Sequence, residues 1–224
     1  MTSRSAKEGL YEQFARIGKA VGNPKRIELV DLLCQGERSV EVLAETASMG
    51  VTSTSAHLKV LRDARLVDTR KEGTRVFYRL ADDAVCEFFF SLRALASDRY
   101  AEVDQLMRDY FEARDELDPV GRSELLARVD DGDVIVLDVR PGEEYEAGHI
   151  PGAISVPLDE LEQKLVSLPK DSEIVAYCRG PYCVLAPQAL ELLLSHGFRA
   201  RRLEEGLPEW RQAGLPVAVG KESR

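Results

Sequence analysis

Cys178 is the residue whose position in the sequence is best suited to covalent chemistry. It closes an apolar run over residues 174–178 that is typical of a buried strand, and a helical pattern over residues 186–196 follows after a short loop. A thiol in such a loop is surrounded by backbone N–H groups and faces the positive end of a helix dipole, and both lower the pKa of a thiol. The spacing therefore predicts a reactive thiolate at Cys178.

The loop after Cys178 supplies the groups that would bind the molecule this thiol attacks. Arg179 brings a cation for an anionic substrate, whereas Pro181 lacks an N–H and leaves the loop with one donor fewer. Cys183 is either close enough around the curled loop to form a disulfide with Cys178, or a small apolar residue beneath the following helix. The predicted substrate-binding residues are Arg179, Gly180, Tyr182, Cys183 and Val184.

The other two cysteines lie in the first half of the chain. Cys34 ends one predicted helix and Cys86 begins another, so the fold could bring them together as a thiol switch, or they fill core space. None of the four cysteines has the CxxC spacing of a zinc site, and the three histidines form no cluster in the sequence. We therefore predict neither a metal nor a cofactor.

The charge of the chain is divided unequally along its length. The 224 residues have a formal net charge of −9, which by itself argues against a nucleic-acid partner. Residues 1–80, however, hold 14 Lys and Arg against 10 Asp and Glu, and residues 51–79 hold seven against three. This basic segment is where a polyanion would bind, the alternative being a solvated surface with scattered basic residues.

The elements around the basic segment predict a winged helix-turn-helix domain, an α+β fold. Helical patterns come first and a hairpin pattern with a turn signal follows them. In this fold the basic helix enters the major groove of DNA and the hairpin lies along the backbone. The predicted elements are helices over residues 11–21, 24–33, 39–50 and 52–64, and a hairpin over residues 66–80 that turns at Lys71-Glu72-Gly73.

A long helical pattern over residues 84–117 follows the hairpin. Its apolar positions recur at three- and four-residue steps, and a single helix cannot bury the face that they form. We therefore predict a homodimer, whose twofold symmetry would match two DNA half-sites. Packing of the helix on its own domain is the alternative.

Beyond Asp118-Pro119 the pattern changes to short apolar strands that alternate with helices. This alternation predicts an α/β domain with a parallel sheet. Ligands of such sheets bind at the carboxyl ends of the strands, and Cys178 lies at one of those ends. The predicted strands cover residues 133–139, 174–178 and 199–203, and the predicted helices cover residues 158–165 and 186–196.

Three motifs in the first half match a known family. They are Asn23-Pro24-x-Arg26, Ser55-x-His57-Leu58-x-x-Leu61 and Gly73-x-x-Val76-Phe77-Tyr78-Arg79-Leu80. Over about residues 10–100 the chain thereby resembles the ArsR/SmtB family of winged-helix repressors. The resemblance implies that the residues that bind double-stranded DNA are Thr52, Ser53, Ser55, His57 and Lys59 on the recognition helix, and Lys71 and Arg75 on the wing. Hydroxyl and basic groups suit contacts to phosphates and base edges.

The chain departs from this family in three ways. Ser39-Val40-Glu41 stands where many members carry a Cys-x-Cys metal site, so metal sensing of that type is not expected. Gly50 replaces a usual capping Ser, so we expect a looser start of the recognition helix. Relatives that sense persulfide do so with two cysteines on the helices that carry Cys34 and Cys86, but at positions that do not register with these two.

Five motifs of the second half occur in the order of another family. They are Asp138-Val139-Arg140, Glu143, Gly148-His149-Ile150-Pro151-Gly152-Ala153, the loop after Cys178, and Gly206-Leu207-x-x-Trp210-x-x-x-Gly214-Leu215-Pro216. About residues 120–216 thus resemble the rhodanese domain. The resemblance implies that Cys178 takes a sulfur atom from thiosulfate, a polysulfide or a persulfide and passes it to a nucleophile. Phosphatases and arsenate reductases of related fold need an Arg six positions after the Cys, where Val184 stands, so a single sulfur atom is favoured over phosphate.

Together these features predict a cytoplasmic, dimeric DNA-binding repressor that responds to persulfide or redox state through a sulfurtransferase domain. Its domains would be a winged helix-turn-helix over residues 1–83, a dimerisation or linker helix over residues 84–118 and a rhodanese-like α/β domain over residues 119–224. No apolar run is long enough for a membrane span. Two alternatives remain: a sulfurtransferase whose winged helix only dimerises, and an arsenic- or redox-linked regulator with a catalytically passive rhodanese domain.

Overall fold

The structure is a computed structural model, which describes residues 3–109, 119–130 and 133–221. The chain divides into two compact units, Met1–Ala94 and Leu95–Arg224. Among the described residues, no helix is both long enough and apolar enough to cross a membrane. Each unit has its own hydrophobic core, as expected for two small domains.

The first unit begins with four helices. Asn23 caps the second of them by accepting a hydrogen bond from the Arg26 backbone N–H, and Pro24 occupies the first turn, where its missing N–H costs nothing. Ser39 caps the third helix in the same way. The helices are α1 (Ser3–Val21), α2 (Pro24–Cys34), α3 (Val40–Thr46) and α4 (Val51–Asp63).

A three-stranded antiparallel sheet completes the fold of a winged helix-turn-helix. The strands are β1 (Arg38–Ser39), β2 (Val67–Glu72) and β3 (Arg75–Leu80), in the order β1-β3-β2. The hairpin turns at Gly73-Thr74, because Glu72 pairs with Arg75 and Gly73 adopts a φ of 59°. The predicted turn at Lys71-Glu72-Gly73 is therefore too early, and Lys71 belongs to β2.

The predicted continuous helix over residues 84–117 is wrong. The structure has α5 (Asp83–Arg99) and α6 (Ala101–Met107), with an extended backbone at Tyr100 between them. The sequence around Tyr100 contains neither Pro nor Gly, and the apolar periodicity continues across this residue. The sequence therefore gives no indication that the helix ends there. Residues 110–117 of the predicted helix lie outside the described residues.

The second unit is a parallel α/β fold, as predicted. Its strands are β4 (Val134–Asp138), β5 (Ile154–Ser155), β6 (Glu173–Tyr177) and β7 (Ala200–Arg202), in the order β5-β4-β6-β7. Every pairing is parallel, so the carboxyl ends of all four strands lie at one edge. The helices of this unit that begin after residue 120 are α7 (Arg122–Asp130), α8 (Gly142–Ala147), α9 (Leu158–Lys164), α10 (Leu185–Ser195) and α11 (Leu207–Gln212).

Candidate functional site

The residues expected around a reactive thiol lie on the loop that joins β6 to α10. Cys178 directly follows β6, one of the two inner strands, and its side chain is only 4% exposed. Its Sγ contacts the carbonyl oxygens of Gly180 and Cys183, each at 3.8 Å. The Cys183 N–H donates to the Gly180 carbonyl at 3.1 Å, which curls the loop back on itself.

This curled loop brings two thiols together. Cys178 is buried and Cys183 half-buried, and Cys178 Sγ lies 3.8 Å from the backbone carbonyl oxygen of Cys183. Both sulfurs are also contacted by backbone groups of the loop and of the first turn of α10. These are the backbone groups of Gly180 and Ala186 for Cys178, and of Arg179 and Leu185 for Cys183.

The two thiols differ in acidity. Burial raises the pKa of Cys178 well above its ordinary value, and its neighbour Cys183 raises it further, although backbone hydrogen bonds act to lower it. The pKa of Cys183 is lowered to about 7, first of all by the hydrogen bond from Cys178. The predicted lowering of the Cys178 pKa is therefore wrong, because the buried sulfur loses more hydration than the loop amides replace. Cys183 is the thiol of this pair that ionises first.

Arg179, which the sequence predicts to supply a cation for an anionic substrate, is held by a buried carboxylate. Its guanidinium forms an ion pair with Glu144 of α8, with an Nη2–Oε1 distance of 2.7 Å and two further contacts from Nε. The two side chains are 14% and 5% exposed. The ion pair therefore ties the thiol loop to α8 and offsets the positive charge of Arg179. The sequence motif points to Glu143, which is exposed, whereas the carboxylate that binds Arg179 is that of its neighbour Glu144.

The backbone of Gly206 packs directly against the thiol loop. A Cβ atom at this position would lie 2.4 Å from the carbonyl carbon of Arg179 and 2.4 Å from the backbone nitrogen of Gly180. No side chain fits at that distance, so Gly206 is the residue that allows the backbone before α11 to pack on the loop. The sequence motif contained this glycine but gave no sign of what it packs against.

A buried polar network lies beside the thiol loop. Arg140 and Asp138 form an ion pair at 2.6 Å, and both side chains are 0% exposed. Arg140 also donates to the Gly148 carbonyl at 2.7 Å, and the hydroxyl of Tyr177 donates to Asp138. Tyr177 immediately precedes Cys178, so the network fixes the end of β6 from which the loop begins. Burial is the largest single effect on the pKa of Arg140 and acts to lower it, but the charge and hydrogen bond of Asp138, together with the charges of Tyr177 and Glu144, outweigh burial and the pKa is raised.

The remaining predicted substrate-binding residues line the outside of the loop. Tyr182 is 41% exposed and Val184 is 40% exposed. Val184 is the N-cap residue of α10 and makes no side-chain capping bond. Both side chains are therefore placed to contact a molecule that approaches the loop from solvent.

The predicted recognition helix is α4, and its two faces differ in burial. Thr54, Leu58 and Leu61 face the core, whereas Thr52, Ser53 and Lys59 are exposed. Ser55 and His57 are half-buried at the flanks. Gly50 gives the helix no side-chain cap, as expected, but the Thr54 hydroxyl donates to the Gly50 carbonyl at 3.1 Å.

The wing residues lie on both faces of the hairpin. Lys71 is opposite Val76 and Arg75 is opposite Glu72, and neighbouring positions of a strand point to opposite faces. Both basic side chains are exposed, and neither has an ion-pair partner within the part of the chain that the structure describes. Arg70, by contrast, pairs with Glu37 at 2.6 Å. Lys59 of α4 is likewise paired, with Asp63 at 2.5 Å.

Cys34 and Cys86 are joined by a disulfide. Cys34 is the last residue of α2 and Cys86 lies in the first turn of α5, with their Cα atoms 5.7 Å apart. The sequence left a thiol switch and core filling as alternatives. The structure brings the two sulfurs together at the edge of the first core, where Cys34 is 4% exposed.

Comparison with known proteins identifies both halves of the chain. Residues 122–213 match the model of the rhodanese-like domain, and residues 23–69 match the model of the bacterial regulatory proteins of the arsR family. The HTH-type transcriptional regulator Rv0324 of Mycobacterium tuberculosis is 45% identical over 214 residues. That alignment covers 96% of this chain and 94% of the relative, so both domains and their order are shared.

Two further similarities each cover one part of the chain. The tRNA uridine(34) hydroxylase of Escherichia coli is 31% identical over 69% of this chain, which spans only 46% of the hydroxylase. A solved homodimeric winged helix-turn-helix DNA-binding domain of Mb0332 from Mycobacterium bovis is 40% identical over 44% of this chain and 90% of that domain, with a TM-score of 0.41. The full-length likeness and the two matching family models decide the assignment: this chain belongs to the arsR family of bacterial regulatory proteins, with a rhodanese-like domain following its helix-turn-helix.

Proposed function

We propose that this transcriptional regulator is a homodimeric DNA-binding repressor that responds to sulfane sulfur, which its rhodanese-like domain accepts on Cys178. One observation carries the proposal: the curled loop at the carboxyl end of β6 holds two free thiols, Cys178 and Cys183, in a chain whose other unit exposes a polar helix face and a basic wing. A regulator needs a group that changes with its signal, and a thiol that takes up sulfur is such a group.

The DNA-binding part of the proposal rests on the exposed residues of α4 and the hairpin. Thr52, Ser53 and Lys59 would meet the major groove, while Lys71 and Arg75 would reach the phosphate backbone from the two faces of the wing. The Lys59–Asp63 pair is exposed, so a phosphate can replace the carboxylate at little cost.

Homodimerisation is supported by apolar side chains that the first unit leaves in solvent. On α1, Leu10, Tyr11 and Phe14 are 58–64% exposed, and on α5 Phe88 is 40% exposed. Aromatic and aliphatic side chains grouped in this way are typical of an interface. A dimer would present two α4 helices to a palindromic operator.

Replacing Lys71 and Arg75 with Ala should make DNA binding less sensitive to salt. Each phosphate contact that is lost releases one counterion fewer, so the slope of log Kd against log salt concentration should fall by about one per residue. The measurement is a fluorescence titration of operator DNA from the region upstream of the protein's own gene, at several salt concentrations. Lys170→Ala, an exposed lysine of the other unit, should leave the slope unchanged. An unchanged slope in the double variant would remove the wing from the interface.

Sulfane sulfur should change the DNA affinity of the reduced protein. Couplings between two ligands of one protein are typically 5- to 150-fold, and we expect a shift of about that size after polysulfide treatment, reversed by a thiol reductant. Cys178→Ser should respond more slowly, because it loses the first acceptor. Cys34→Ser and Cys86→Ser should not respond, because they cannot close the bond between α2 and α5.

Three results would contradict parts of this proposal. Helix variants that respond like the wild type would exclude the Cys34–Cys86 pair from the response. A wild type that binds the operator but shows no shift would refute the sulfur response. A protein that turns over thiosulfate without binding DNA would favour a sulfurtransferase whose winged helix serves dimerisation alone.

A further inference from the structure

Cys183 has a setting that the acceptance of sulfur by Cys178 does not by itself require. Its carbonyl oxygen lies 3.8 Å from Cys178 Sγ, and its backbone N–H donates to the Gly180 carbonyl at 3.1 Å, so the curled loop holds the two cysteines against each other. It is also less buried than Cys178. The two sulfurs are thus close together on one short loop, and the more accessible of them is the more acidic.

The loop that carries the two thiols is held in place from two sides. The ion pair with Glu144 fixes Arg179, and the backbone of Gly206 packs against the peptide between Arg179 and Gly180. A persulfide formed on Cys178 is therefore kept next to the Cys183 thiol, and a reaction within the loop has a large advantage over one with a thiol from solution.

We propose that Cys183 is the second nucleophile of this loop: it attacks the Sγ atom of the Cys178 persulfide, forms a Cys178–Cys183 disulfide and releases the outer sulfur as hydrosulfide. This inference rests on the proposed acceptance of sulfane sulfur by Cys178. It changes what the domain does with that sulfur. The domain reduces the sulfane sulfur to hydrosulfide and does not carry the atom to an acceptor. The Cys178–Cys183 disulfide that remains is the lasting chemical change caused by the sulfane sulfur.

The two steps balance in atoms and electrons. With thiosulfate as donor, the Cys178 sulfur attacks the outer sulfur of the donor, the bond between the two donor sulfurs breaks, and sulfite leaves with the electron pair; the Cys178 proton passes to the Cys183 thiolate. In the second step the Cys183 sulfur bonds to Cys178 Sγ, the persulfide bond breaks, and the Cys183 proton leaves with the outer sulfur as hydrosulfide. The two thiols are oxidised to a disulfide and the sulfane sulfur is reduced, so no further oxidant is needed.

The test follows three products of one reaction of the full chain. Fully reduced protein is mixed with thiosulfate, and sulfite, hydrosulfide and the tryptic peptides are measured at the end point. Trypsin cuts after Arg179, so Cys178 and Cys183 fall on separate peptides that only a disulfide can hold together. For the wild type we expect equal amounts of sulfite and hydrosulfide, and a joined pair of these peptides.

Cys183→Ser and Cys183→Ala should both release sulfite but no hydrosulfide, and should retain one extra sulfur atom on the Cys178 peptide. Two variants are used so that a folding defect in one does not decide the result. Cys86→Ser, which leaves the loop intact, should give the wild-type products at this loop. A wild type that releases sulfite and keeps the sulfur on Cys178 would overturn the inference and leave the proposed function standing. A wild type that releases no sulfite from thiosulfate and takes up no sulfur from polysulfide would overturn both.

Discussion

Replacing Cys178 with Ser is expected to abolish the release of sulfite from thiosulfate. A serine hydroxyl is a far weaker nucleophile than a thiol at neutral pH, and removing the attacking atom of an enzyme costs at least about 1,000-fold in turnover. The fold should survive, because the hydroxyl can donate to the Gly180 and Cys183 carbonyls that the thiol contacts now. We expect the free energy of unfolding to change by no more than about 1 kcal/mol. The rate of sulfite release from the fully reduced protein in its first turnover measures the first effect, and urea denaturation measures the second.

Cys86→Ser is the matched control for this experiment, since it removes a thiol of the other unit and should leave sulfite release unchanged. Turnover by Cys178→Ser within tenfold of the wild type would mean that Cys183, the more acidic thiol, accepts the sulfur first. Loss of folding together with activity would show that the loop needs the cysteine for packing, and would leave the chemical assignment to the peptide analysis.

Arg140→Met is expected to have the largest effect on stability. The substitution keeps most of the apolar volume of the side chain but leaves the Asp138 carboxylate buried without its ionic partner and the Gly148 carbonyl without a donor. Breaking a buried ion pair in this way costs about 3–5 kcal/mol. Urea denaturation followed by the fluorescence of Trp210, the single tryptophan, reports on this unit directly.

The double variant Asp138→Asn, Arg140→Met tests whether the charge is the cause. It removes the unpaired carboxylate while keeping a side chain that can accept from Tyr177, so it should be more stable than Arg140→Met alone. Lys164→Met, which breaks an exposed pair with Glu160, should cost less than about 1 kcal/mol. Equal losses in the single and double variants would show that packing, and not charge, dominates at Arg140.

Most helices and strands of the fold could be predicted from local patterns in the sequence. Asn23-Pro24 marks the start of α2, the alternating residues on either side of Gly73 give a hairpin, and short apolar runs between helices give a parallel sheet. These signals depend on neighbours in the chain, so they are readable without tertiary contacts. The break at Tyr100 carries no such signal, and there the prediction was wrong.

The candidate site was only partly predictable for a related reason. Cys178 was found because its position between strand and helix is local, but its pKa depends on burial by distant segments, and burial reversed the expected direction. The partner of Arg179 is 35 residues away in α8, and the segment that supports the loop begins at Gly206. The choice between Glu143 and Glu144 depended on which carboxylate the tertiary fold buries, and spacing does not contain that information.

The bond between Cys34 and Cys86 also has a consequence for the unfolded chain. It joins residues separated by 52 positions, and the segment between them contains α3, α4 and the whole hairpin. Closing a loop of this size reduces the conformational entropy of the unfolded state by an amount equivalent to about 4 kcal/mol at room temperature. In the oxidised protein, the helix and wing proposed to bind DNA remain within a covalently closed loop when they unfold. Oxidation therefore stabilises these elements against unfolding even if it changes no contact of the folded state.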